Sequence, residues 1–68
     1  MKRLVLKRRL SRLLWKYQLR KVWSVVMDYL SKEINEMTLY GRILDELNGD
    51  TKLADTTMWE ITDFINAA

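Results

Sequence analysis

The sequence predicts an all-α protein, a small bundle of about three helices whose first helix is long, basic and amphipathic. Three observations point there. Proline is absent from all 68 residues and the first glycine is Gly41, so no strong breaker interrupts the N-terminal half. Apolar residues recur at three- and four-residue spacing, the period of a helix face. The hydrophobic fraction is 49%, high enough for an ordered core rather than a disordered tail.

The first helix spans 1–37. At ~1.5 Å per residue a straight helix of that length reaches about 54 Å, several times the ordinary length, so an interruption is expected within it. The apolar pattern indicates where. Leu6, Leu10, Leu13, Leu14 and Tyr17 form one stripe, whereas Trp15, Leu19, Val22, Trp23, Val26, Leu30, Ile34 and Met37 form a second on nearly the opposite side. The buried face swaps within 15–19. Either the helix breaks there, or one continuous helix packs against different neighbours at its two ends, as a homodimer would allow.

A second helix is read over 38–48, with Thr38 as N-cap and Leu39, Ile43, Leu44 and Leu47 on one face. Asn48-Gly49 closes it, since both residue types tolerate the positive φ of a helix end. A third helix is read over 55–66. Asp55 or Thr57 caps it, Thr57 and Glu60 fitting the capping-box spacing, and Met58, Ile61 and Ile65 face inward. No repeat or linker divides the chain, which reads as one domain over 1–68.

Composition excludes more than it identifies. With no His and no Cys the chain lacks the commonest general base, the thiol nucleophile, a disulfide framework and the usual zinc ligands. Ser11, Ser24 and Ser31 have no activating partner in the pattern. We therefore expect no enzyme, no catalytic residue, no cofactor, no metal and no small-molecule substrate. The acids Asp45, Glu46 and Asp50 depart from a calcium loop, because the sixth and twelfth places counted from Glu46 hold Thr51 and Thr57. No apolar run is long enough to span a membrane, and a soluble, cytoplasmic protein is expected.

Charge is the feature with functional content. Up to Trp23 there are nine basic residues and no acid, whereas the rest of the chain has three bases against nine acids. A polyanion would sense the first third as a local positive field despite a net charge of only +3. On one continuous helical wheel Lys2, Arg8, Arg9, Arg12, Lys16 and Arg20 fall within about 120°, a cationic face able to meet successive phosphates. Trp15 and Trp23 lie beside it as stacking or interface candidates, although a Trp at helical spacing is more often core. The expected function is that of a nucleic-acid-binding accessory or regulatory protein. The alternative is a protein-interaction module that binds a larger acidic partner or self-associates as a helical homodimer. A helix-turn-helix over the C-terminal segments is disfavoured, since the would-be recognition helix carries Asp55, Glu60 and Asp63 and no base.

Overall fold

The computed structural model describes residues 2–67, and of Lys2 only the backbone. The described residues form four α-helices and no strand: α1 (Lys2–Ser11), α2 (Lys16–Leu30), α3 (Glu36–Glu46) and α4 (Thr51–Ala67). About three were expected; two interruptions fall within 1–37 rather than one. The molecule's longest dimension is 29 Å, which excludes a rod of about 54 Å.

The first interruption, at 12–15, lies about one turn before the place where the apolar stripes cross over. Its cause is the crossover itself. A straight helix would send the two stripes to opposite sides, whereas the turn lets Leu6, Leu10 and Leu14 bury in the same core as Val22 and Val26. At this end the Arg12 and Leu13 N–H groups donate to the Arg9 and Leu10 carbonyls at 3.2 and 3.0 Å, and the chain then turns extended at Trp15. Trp15 is the N-cap of α2. Its indole offers no acceptor to the helix, and the only reciprocal contact is its own N–H donating to Gln18 Oε1 at 2.8 Å.

The second interruption is a helix stop of the kind glycine usually makes, made here by lysine. Lys32 has φ 62°, its N–H donates to the Tyr29 carbonyl, and the Glu33 N–H donates to the Asp28 carbonyl at 2.9 Å, which together define a Schellman end. Asn48 and Gly49 close α3 in the same way, with φ 58° and 79°, so the helix end read from Asn48-Gly49 is where α3 stops.

Two expected N-caps are corrected. Asn35, not Thr38, caps α3; its Oδ1 accepts from the Thr38 N–H at 2.8 Å, so Thr38 lies in the first turn. Asp50, not Asp55 or Thr57, starts the last helix, accepting from the Leu53 N–H at 3.1 Å. That helix therefore begins a turn earlier than 55. Thr57 is fully buried, and its hydroxyl donates to the Leu53 carbonyl at 2.7 Å.

The helices form a closed ring of packing, α1 on α2, α2 on α3, α3 on α4 and α4 on α1. All four fill one core: Leu6 and Leu10 from α1, Val22, Val25 and Val26 from α2, Leu39 and Ile43 from α3, and Ala54 and Ile61 from α4. Burying each such aliphatic side chain stabilises the fold by ~1.5–3 kcal/mol relative to leaving it in water. Several residues assigned inward do not join them. Met37, Trp15, Tyr17 and Ile65 are 84%, 74%, 59% and 38% exposed. Among the described residues no helix is long and apolar enough to cross a membrane.

Candidate nucleic-acid interface

Because the chain bends at 12–15, the continuous cationic face read from one wheel is not formed. Its members are redistributed over α1, the turn and α2. Arg8 is exposed on α1, opposite Leu6 and Leu10; Arg12 is exposed in the turn; Lys16 and Arg20 are exposed on successive turns of α2. The Lys2 side chain lies outside the described residues. Arg9 is the member withdrawn from the set: its Nη1 donates to Asp63 Oδ2 of α4 at 3.1 Å. Both partners are substantially exposed, so this bridge contributes at most ~1 kcal/mol and weakens with salt.

The turn creates a juxtaposition that no wheel contains. Lys7, from α1, places its ammonium 5.8 Å from the centroid of the Trp23 ring on α2, within range of a cation–π attraction. Together with Lys16, Leu19 and Arg20 they line an open hollow of about 380 Å³. Two apolar side chains, Leu19 and Trp23, and three cations make up its lining. No carboxylate belongs to the lining.

Among the described residues the ion pairs are Arg9–Asp63 and Arg42–Asp28, the latter at 3.2 Å. Lys7, Arg8, Arg12, Lys16 and Arg20 therefore have no carboxylate partner there. Among the described residues no acid of the C-terminal half lies within ion-pair distance of these five. A further electrostatic load comes from α2 itself: its N-terminal end carries Lys16 and has no acid in the first turn, so like charge sits at the positive pole of the helix. An anion placed there would relieve that repulsion.

The aromatic residues divide differently from expectation. Trp15, assigned to a buried stripe, is 74% exposed at the head of α2, and Tyr17, assigned to the other stripe, is exposed two residues on. Trp23 is half-buried against the core, with Lys7 over its ring. The sequence reading missed Lys7, which falls off the cationic sector of a single wheel, and Tyr17 as an exposed ring. Neither had a one-dimensional signal, because both placements depend on the bend.

The other surfaces have a different chemistry. Between α3 and α4 an open hollow of about 460 Å³ is lined by Met37, Tyr40 and Met58 and flanked by Glu36 and Asp55. Tyr40 donates to Asp55 Oδ1 at 2.9 Å. Among the described residues Asp45, Glu46 and Asp50 are not gathered into a group able to hold a metal ion. No known protein family, curated protein or solved structure matches this chain.

Proposed function

We propose that the protein is a small, non-enzymatic nucleic-acid-binding accessory or regulatory protein that contacts phosphates through α1, the 12–15 turn and the first turns of α2. The observation that carries this reading is the set Lys7, Arg8, Arg12, Lys16 and Arg20, five exposed cations with no carboxylate partner among the described residues. An uncompensated cluster costs self-repulsion and gains the fold nothing; a polyanion converts it to attraction by releasing counterions. Arg8, Arg12 and Arg20 offer forked donors suited to phosphate, and Lys7 and Lys16 act as point charges beside them. The helices α3 and α4 brace this surface through the shared core, and the α4 acid that pairs within the basic segment, Asp63, is engaged with Arg9.

The test is titration of labelled mixed-sequence oligonucleotides by fluorescence anisotropy at two salt concentrations. Affinity should fall steeply with salt, and Arg12→Glu should weaken binding at least tenfold with the far-UV circular dichroism unchanged. A protein indifferent to oligonucleotides at low salt overturns the reading.

A second reading is supported by a separate observation, the 84% exposure of Met37 beside the apolar hollow of α3 and α4. On that reading the chain is a protein-interaction module, self-associating as a homodimer through apolar surface or presenting its cations to an acidic protein. Light scattering separates the two. A dimer unaffected by salt and by oligonucleotides favours the second.

A further inference from the structure

Resting on the nucleic-acid reading, we infer that the surface takes single-stranded nucleic acid in preference to duplex, with the Trp15 and Tyr17 rings stacking on unpaired bases while the cations around them hold the adjoining phosphates. Three observations converge on this.

The first is what the bend removes. A duplex presents phosphates at fixed spacing along a stiff rod, and a straight helix with cations at i, i+4 and i+8 is a natural match for it. Here α1 is only about 15 Å long, its Arg9 is engaged with Asp63, and its outward surface also displays Leu4 and Val5, 57% and 48% exposed. Lys16 and Arg20 belong to a separate helix on the far side of the turn. A flexible single strand can follow such a bent path; a duplex of long persistence length cannot without deformation.

The second is the exposure of the rings. Trp15 is 74% and Tyr17 59% exposed, and both sit in the acid-free segment, on either side of Lys16. Trp15 occupies an N-cap, the position where Ser, Asp or Asn would have stabilised α2, so its indole serves neither the core nor the helix end. Duplex DNA keeps its bases stacked inside and offers these rings mainly sugar and phosphate. An unpaired base offers a π-face, and each such stack contributes ~1–3 kcal/mol.

The third is shape. An open hollow is lined by Leu19 and Trp23 together with Lys7, Lys16 and Arg20, and Lys16 is the chain neighbour of both Trp15 and Tyr17. Trp23 already has the Lys7 ammonium over its ring, so the free stacking platforms are Trp15 and Tyr17, and the hollow receives the sugar-phosphate that follows.

The experiment compares a short oligothymidine with a duplex of equal length at one low salt concentration, following anisotropy of the labelled strand and quenching of the protein's tryptophan emission. The single strand should bind at least tenfold more tightly and quench emission. Trp15→Ala, which removes an exposed ring and leaves the core untouched, should weaken single-strand binding roughly 5- to 150-fold and leave duplex binding and the salt slope unchanged. Arg20→Gln should weaken both polymers and reduce the single-strand log–log salt slope by about 0.7. Tyr17→Ala serves as a second ring variant, with a loss in the same direction. Equal or tighter duplex binding, or single-strand binding insensitive to both ring variants, overturns the inference while the charge-based function stands. Absence of binding to either polymer overturns the function itself.

Discussion

The two halves of this molecule contribute to the core alike and treat their polar groups oppositely. Leu6, Leu10, Val22, Val25 and Val26 from α1 and α2 are buried as completely as Leu39, Ile43, Ala54 and Ile61 from α3 and α4. In the C-terminal half, side chains serve the fold: Asn35 and Asp50 cap α3 and α4, Glu36 sits at the positive pole of α3, Thr57 satisfies its own hydroxyl, and Tyr40 donates to Asp55. In the N-terminal half α2 starts at a tryptophan that offers no acceptor, cations crowd its positive pole, and two large rings face water. Packing does not distinguish the halves; the difference lies in how their surface polar groups and helix ends are satisfied. On the proposed function, local rules broken without structural return belong to the surface that would meet the nucleic acid.

The largest effect would break the comparison at its first term. If α1 is a true member of the core, Leu10→Ala and Ile43→Ala should each destabilise the protein by ~2–5 kcal/mol, since both side chains are fully buried. Urea unfolding followed by circular dichroism measures both. A Leu10→Ala variant within ~0.5 kcal/mol of the parent would make α1 an appended basic arm rather than a wall of the bundle.

A smaller effect tests the polar contrast, by changing both N-caps. Asp50→Ala removes the acceptor for the Leu53 N–H and should cost ~1 kcal/mol. Trp15→Asp supplies an acceptor and an acid where α2 has neither, and should raise stability by about 0.5–1 kcal/mol. The same change should weaken nucleic-acid binding, because it removes a ring and places a negative charge among the cations. A gain in stability with a loss in binding is the expected signature; a Trp15→Asp protein that loses stability would show the indole to be structural.

How much of this was legible in the sequence follows from the range of each interaction. Helical content, the end at Asn48-Gly49 and the crossover of apolar stripes are local, and the fold carries them within a turn. The cap at Asn35 was obscured because Thr38 is the same kind of residue three positions on, and the cap and its N–H donor look alike in one dimension. Lys32 gave no warning of a helix end, since a lysine seldom adopts φ 62°; the stop is imposed by Val26 and Leu39 having to reach one core from two directions. The candidate site was visible as charge and invisible as geometry. Lys7 meets Trp23 only because the chain bends between them, and Arg9 is neutralised by an aspartate 54 positions away.

The smallest effect lies wholly within the C-terminal half and checks that the halves are separable. The Tyr40 phenol is held above its ordinary pKa of 10.0, first by the hydrogen bond it donates to Asp55, then by partial desolvation and by the charge of that carboxylate. Each cause favours the protonated phenol in the folded state. Its contribution to stability is therefore fully present below pH 10 and is lost as pH rises through the elevated folded value. Lysines titrate in the same range, so the informative quantity is the difference between parent and Tyr40→Phe. Below pH 10 the parent should be slightly the more stable in urea, and the gap should close as the medium becomes more alkaline. Oligonucleotide affinity at neutral pH should be the same for both proteins, since Tyr40 and Asp55 line the apolar hollow between α3 and α4 and not the basic one. A Tyr40→Phe variant that bound nucleic acid more weakly would mean that the ligand reaches across to α3, and the division between a bracing half and a binding half would have to be redrawn.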